Sequence, residues 1–343
     1  MKIGIAIIPE SLIAVLTITM VVGMTQMRRR RVVVRQLSAL EALGGVSNIC
    51  SDKTGTLTQG QMVTRKVWVP GVGIYSVSKS DDANNPTRGV VTHNPAPESK
   101  SEAEQIQEKR KQEMDQARST AGLTFDLPSE KQHKQDEEDT DVQADGAPLL
   151  PDVNPDLERF LFSSALCNLA TIRQNSESGA WQAMGDPTEI ALQVFATRFG
   201  YGKKVLEKEH GWEQLAEYPF DSSIKRMSVI YKRDGDRPVI YTKGAVERIL
   251  DLCTSIGGQH NETMTDKVKD KVLEQMGFLA DQGLRVLAIT QRPAPEKWQK
   301  GDELARDEVE NDLTLLGLVG LYDPPRLETK DAVKGKSART RFH

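Results

Sequence analysis

The sequence predicts a mixed α/β and α+β protein, a module of largely antiparallel strands preceded by one transmembrane helix. Three observations carry this. Residues 3–24, IGIAIIPESLIAVLTITMVVGM, form an apolar run long enough to cross a bilayer's hydrocarbon core. Residues 79–154 are polar, proline-punctuated and charge-rich. From Pro155 onward, helical spacing alternates with β-rich runs joined by turn signals, a pattern that suits a packed α+β layer structure.

The composition narrows the function. The chain has 343 residues, a formal net charge of −4 and a pI near 5.9. No broad basic face is visible, so no nucleic-acid partner is expected, and no specific protein partner is indicated. The length accommodates one large domain or two modest ones. Cys50, Cys167 and Cys253 show neither CxxC nor metal-ligand spacing and read as reduced cytosolic thiols. The sequon Asn261-Glu262-Thr263 would be silent in that compartment.

The elements follow in order. A signal peptide fits residues 3–24 poorly: the run is too long, Pro9-Glu10 interrupts it, and Arg28 to Arg31 replace a small-residue cleavage site. The arginines put the C-terminal side in the cytoplasm. An intramembrane carboxylate is costly, and a proline beside it frees backbone carbonyls. Glu10 is therefore either a cation ligand or a side chain that snorkels or is protonated. Residues 32–35 read as extended, 37–45 as a short helix and 46–50 as a buried strand. Residues 63–77 read as strands around a Pro-Gly turn. Residues 79–154 cannot bury enough apolar surface to offset ordering entropy and read as a disordered or loosely helical insert. Helices are expected over 156–172, 185–200, 245–253 and 264–282, the last with Gly283 beyond its end. Strands are expected at 226–244, around an Asp-Gly turn, and at 284–292 and 313–323.

The stretch CSDKTGTLTQG, residues 50–60, follows the strand-like VSNI. A carboxylate at a strand end, facing small residues, suits nucleophilic attack on phosphorus. Thr54, Gly55, Thr56 and Thr58 offer hydroxyl or backbone donors to phosphate oxygens, and Lys53 adds positive charge. Phosphoryl transfer also calls for a metal ion. The plainer reading is an Asx-turn, with Asp52 bonding local N–H groups.

The full string DKTGTLT resembles the phosphorylation signature of P-type cation-transporting ATPases. The resemblance implies that Asp52 forms an aspartyl phosphate and that Thr54 helps hold Mg²⁺ through its main chain. It also implies a partial haloacid-dehalogenase-like phosphorylation domain with an inserted antiparallel-sheet nucleotide-binding domain. Hydrolases of that class usually carry a second Asp two positions after the nucleophile. Thr54 stands there instead, so the phosphoenzyme should be long-lived. IPESL resembles the broken fourth membrane helix of these pumps, making Glu10 a ligand of the transported cation. KGAVE resembles the KGAxE nucleotide motif, which places Lys243 and Gly244 at ATP. YPFDSSIKRMSV resembles the adenine segment, with Phe220 as the stacking ring, although a lone Phe is more often core. In GDPTE, an N-cap Asp186, Pro187 at the first helical position and a capping-box Glu189 explain the residues fully. The family also places an acidic residue near the nucleotide at Glu189. Arg285 resembles a phosphate-contacting arginine, and DPPR, Asp323 to Arg326, a hinge between domains.

The implied organisation is a membrane helix at 1–27, the first part of a phosphorylation domain at 28–62 and a nucleotide-binding domain at 63–320 carrying the insert 79–154. A hinge and the start of the second phosphorylation part occupy 321–334, and an aberrant tail occupies 335–343. SALEALGGVSNICSDKTGTLTQGQM resembles the fungal sodium/potassium-exporting branch. The implied protein is integral to a plasma or endomembrane, mostly cytosolic, and exports a monovalent cation using ATP and Mg²⁺. The TGD and GDGxND loops and the actuator domain of the family are not found. A non-catalytic ATP-binding remnant is therefore the alternative, ahead of a calcium pump or a soluble phosphatase.

Overall fold

The computed structural model describes residues 8–36, 40, 42, 45–78, 80, 82–96, 153–257, 261–296, 298, 301, 304–337 and 341–342. Of residues 8–11, 335–337 and 341–342 it describes the backbone alone. The chain divides into two compact units, residues 1–57 with 326–343, and residues 58–325.

The smaller unit begins with α1 (Ile8–Arg29), a helix of 22 residues. At 1.5 Å per residue it is about 33 Å long. Pro9 lies in its first turn, where a missing N–H leaves no intrahelical bond unmade. The break expected around Pro9-Glu10 would involve residues before Ile8, outside the described residues. The window Leu12–Arg29 is apolar enough to cross a membrane, and none of it is buried within the protein. Its threonines do not leave hydroxyls unsatisfied. Thr17 and Thr25 donate to the carbonyls of Ile13 and Val21 at 2.8 and 2.9 Å, and Thr19 donates to that of Val15. The helix expected at 37–45 falls mostly outside the described residues. β1 (Asn48–Ile49) is two residues long and not buried, which corrects the buried strand expected there.

In the larger unit, β2 (Val63–Val69) and β3 (Gly73–Ser78) form the expected hairpin, with Gly71 at φ 74° in the turn. β4 (Val90–Pro95) then pairs antiparallel with β3 from Gly73↔Pro95 to Ser78↔Val90. This corrects the start of the insert, because Val90–Pro95 within it is a strand of the main sheet. The physical reason is Arg198, a buried guanidinium from a helix far along the chain. It donates to the Pro86 carbonyl at 3.0 Å, the Ser80 hydroxyl at 3.0 Å, the Asn85 carbonyl at 3.3 Å and the Arg88 carbonyl. Burial, with Arg65 nearby, pushes the Arg198 pKa down to about 10. The rest of the insert, residues 97–152, lies outside the described residues.

α2 (Pro155–Leu166) is capped by the Asn154 carboxamide, which accepts from Leu157 N–H at 2.8 Å. It ends earlier than expected, and Thr171–Gln174 is instead a strand, β5, paired with β6 (Trp181–Met184). There follow α3 (Pro187–Arg198), α4 (Lys203–Glu209), β7 (Trp212–Asp221), β8 (Arg226–Arg233), β9 (Val239–Ala245) and α5 (Val246–Leu250). β10 (Cys253–Ile256), β11 (Glu262–Thr263), α6 (Asp266–Ala280), β12 (Arg285–Pro293), α7 (Arg306–Val309) and β13 (Leu313–Tyr322) complete the unit. The main sheet runs β4-β3-β2-β13-β12-β9-β8-β7, and every neighbouring pair in it is antiparallel. β10 adds one parallel pairing to β13.

β13, LTLLGLVGLY, explains the layering. Leu316, Val319 and Leu321 face one core with α2 and α3, and Leu313, Leu315 and Leu318 face the other with α5 and α6. A strand covered on both faces reads as a continuous apolar run. At Gly317 an added Cβ would stand 2.3 Å from the Trp68 carbonyl oxygen, so a glycine is required there.

The chain then returns to the smaller unit. α8 (Thr329–Ser337) is followed by β14 (Arg341–Phe342), which pairs parallel with β1 through Asn48↔Arg341 and Ile49↔Phe342. The segment read from sequence as an aberrant tail, 335–343, contributes the end of a helix and a strand.

Candidate functional site

Glu189 and Lys243 form the polar centre of the larger unit. Asp186 caps α3 by accepting from Thr188 N–H at 2.8 Å, and Pro187 follows as the first helical residue. The capping-box use of Glu189 does not occur. Its carboxylate accepts from Leu169 N–H at 3.2 Å and from Lys243 Nζ at 2.7 Å. The pair is mostly buried, with side chains 12% and 7% exposed. Asn168 supports it from below, donating to the Glu189 carbonyl at 2.9 Å and to the Ser164 carbonyl at 3.2 Å. Cys167 lies in the same floor, its thiol 3.5 Å from the Met227 carbonyl, and burial pushes its pKa up to about 12. Such a thiol is unreactive at neutral pH.

Register places the other expected residues. Lys243 stands opposite Met227 on β8 and Ile289 on β12, and all three use the α2–α3 side of the sheet. Phe220 lies near the end of β7, and its ring is 57% exposed. It is not a core residue. Leu169 and Met184, on segments next to Glu189, are also bare. Arg285 is exposed at the start of β12, on the same face as Ile289 and four residues away, roughly 13 Å along a strand. Among the described residues, no hydrogen bond or ion pair joins Arg285 or Phe220 to the Glu189–Lys243 pair.

Gly244 has a direct packing reason. An added Cβ would lie 2.5 Å from the Lys225 carbonyl oxygen and 2.8 Å from Arg226 Cβ. That carbonyl accepts from Ala245 N–H at 3.0 Å, and Lys225 itself sits at φ 54°. A left-handed lysine between Phe220 and Gly244 marks a constrained turn at the mouth of the site. Sequence reasoning passed over Lys225, because its charge resembles any surface lysine and its backbone strain has no sequence signal.

Asp323 accepts from the Thr58 hydroxyl at 2.6 Å and from Gly60 N–H at 3.0 Å. With the bridge Thr58↔Pro325 and the bond from Gln59 N–H to the Pro324 carbonyl at 2.9 Å, it ties together the two strands of chain that enter and leave this unit.

In the smaller unit, Asp52, Lys53 and Thr54 are exposed. The segment Lys53–Leu57 is a tight turn broken by Thr54 at ψ 122° and Gly55 at φ 76°. Arg326 donates to the Gly55 carbonyl at 2.8 Å, and the Thr329 hydroxyl donates to that of Leu57 at 2.6 Å. The carboxylate of Asp52 and the backbone carbonyl of Thr54 are hard oxygen donors of the kind Mg²⁺ takes. Among the described residues no group of three His, Cys, Asp or Glu side chains could hold an ion. These residues therefore fit Mg²⁺ as part of a shell completed by phosphate and water, not as a closed cage.

Residues 156–328 match the family described as P-type ATPase, cytoplasmic domain N. The chain belongs to the P-type ATPase family. It is similar to sodium/potassium exporting P-type ATPase cta3 of Schizosaccharomyces pombe, at 45% identity over 97% of this chain and 28% of that protein. It is 35% identical to sodium/potassium exporting P-type ATPase 1 of Saccharomyces cerevisiae, over 97% of this chain and 31% of that protein. A calcium-transporting ATPase of Bacillus cereus is 30% identical over 97% of this chain and 28% of its own length. The chain thus spans less than a third of these relatives.

Proposed function

We propose that residues 63–320 bind ATP and that residues 28–62, with 321–334, form part of a haloacid-dehalogenase-like phosphorylation domain in a cation-exporting pump. The observation that carries this reading is the buried Glu189–Lys243 pair and the bare Phe220 ring, with Lys243 and Phe220 on the same sheet, inside the segment that matches P-type ATPase cytoplasmic domain N. Phe220 stacks on adenine. Lys243 and Arg285 supply positive charge for the ribose–phosphate side, and Gly244 lets the backbone approach closely. Asp52 is the phosphoryl acceptor: its carboxylate oxygen bonds to the γ-phosphorus as the bond to the ADP oxygen breaks. Mg²⁺, held in part by Asp52 and Thr54, supplies neutralisation of phosphate charge. Thr54 in place of a second aspartate leaves no carboxylic acid two residues from the nucleophile to assist hydrolysis. Asp323 and Arg326 set the hinge. α1 crosses the membrane, with Glu10 a ligand of a monovalent cation. Relatives named for sodium/potassium export support that cation class.

The test is phosphoenzyme formation. The chain is incubated with γ-labelled ATP and Mg²⁺, quenched in acid and treated with hydroxylamine. The reading expects hydroxylamine-labile label that is absent from Asp52→Asn. Label that persists in Asp52→Asn would overturn the assignment of the acceptor.

A further inference from the structure

Glu310 is the most deeply buried carboxylate among the described residues, and it lies on the sheet face opposite the Glu189–Lys243 pair. It follows α7 directly and is 1% exposed. One oxygen accepts from the Ser228 hydroxyl at 2.8 Å and from Arg306 at 3.1 Å, and the other accepts from Arg226 Nε. The two arginines lead to two different places. Arg306 also donates to the carbonyl of Pro219, the residue before Phe220. Arg226 follows the left-handed Lys225 and stands opposite Gly244 in the β8–β9 register. Ser228 continues the network to the Thr242 hydroxyl at 2.9 Å, one residue before Lys243. The same segment braces β7 again where the Tyr218 hydroxyl donates to the Leu304 carbonyl at 3.1 Å.

One buried anion thus bonds Arg226 and Ser228 on β8 directly and reaches Pro219 through Arg306, on both sides of the turn that carries Phe220 and Lys225 and next to Gly244 on β9. A carboxylate buried this deeply carries a desolvation cost that only good geometry offsets, so it is weak evidence for stability alone. Alternation along β8 and β9 puts Ser228 and Thr242 on the reverse face from Met227 and Lys243, so Glu310 cannot touch a ligand bound at Lys243.

We propose that Glu310 is a positioning residue for the nucleotide: through Arg306 and Arg226 it sets the placement of the Phe220 ring and of the Lys225–Gly244 edge. The proposal rests on the ATP-binding reading above and names a residue outside the ligand's reach.

The experiment is ATP titration by calorimetry of the full chain, with near-UV circular dichroism to confirm folding. Glu310→Gln keeps the size and the Ser228 contact but removes the negative charge that pairs with both arginines. It should weaken ATP binding by roughly tenfold, the lower end of what outer-shell partners cost a site. Arg306→Gln, at a partly exposed position, removes the Arg306 arm, its contacts to Glu310, Pro219 and the Tyr218 ring, and leaves the Arg226 arm in place. It should weaken ATP and AMP by the same factor, because it acts on the adenine ring. Arg306→Lys should recover part of that loss. Unchanged ATP affinity in a folded Glu310→Gln chain would overturn the proposal. If that variant does not fold, unchanged affinity in Arg306→Gln does so instead. Wild-type protein that binds no ATP overturns the nucleotide reading itself, and the positioning role with it.

Discussion

Replacing Lys243 with methionine tests the ion pair that organises the larger unit. Methionine keeps most of the stem volume and removes the ammonium that bonds Glu189 at 2.7 Å. At that distance the gross attraction is about 6 kcal/mol for an effective dielectric of 20. Desolvation of both groups offsets most of it. Removing one partner of a buried pair typically costs about 3–5 kcal/mol. The cost should be lower here, because Glu189 keeps the Leu169 N–H at 3.2 Å and both side chains retain some solvent contact. The expected loss is about 2–3 kcal/mol, the range of a charged hydrogen bond plus a stranded acceptor. Urea unfolding followed by tryptophan fluorescence measures it. The double variant Lys243→Met/Glu189→Leu should be clearly less destabilised than the sum of its two single variants, since neither charge is then stranded. Small and additive losses would refute the coupling on which this site is built.

Other consequences follow from the same geometry. Gly244→Ala places a methyl 2.5 Å from the Lys225 carbonyl and should destabilise by about 1–3 kcal/mol, read as a lower melting temperature together with weaker ATP binding. Arg198→Met strands several carbonyls at about 1–3 kcal/mol for each one left buried, so limited proteolysis should begin within residues 80–96. The Cys167 and Cys253 thiols are both pushed up to about 12 by burial. In the unfolded chain they ionise near their ordinary value, so from about pH 9 to 12 the folded state holds protons that the unfolded state has lost. Stability should therefore fall with rising pH, by about 1.4 kcal/mol per unit for each thiol. Urea midpoints between about pH 8.5 and 9.5, where the unfolded tyrosines are still mostly protonated, should show the fall, and Cys167→Ala should reduce it.

Much of the fold was legible because local chemistry and burial agree. β13 reads as an apolar run because both of its faces are covered, and the Asp-Gly and Pro-Gly turns state their own geometry. The illegible parts depend on partners distant in sequence. β4 looks like the start of the insert, and Arg198, far along the chain, bonds the loop before it. Glu189 looks like a capping-box residue because its spacing fits one, yet Lys243 offers it a charged donor, stronger than a local N–H. The resemblance singled out Phe220, Lys243 and Gly244 as candidates. Lys225 was not, since its φ of 54° has no sequence mark. Glu310 was hidden in a charge-rich segment, where acidic residues usually face solvent.

The most direct test of the central claim is ATP binding by the wild-type chain, set beside Phe220→Ala and Lys243→Met, by calorimetry. The account predicts saturable one-to-one binding that both substitutions weaken, with Phe220→Ala also weakening AMP because stacking on the base is lost. Wild-type binding that neither substitution changes would place the nucleotide elsewhere and contradict the account.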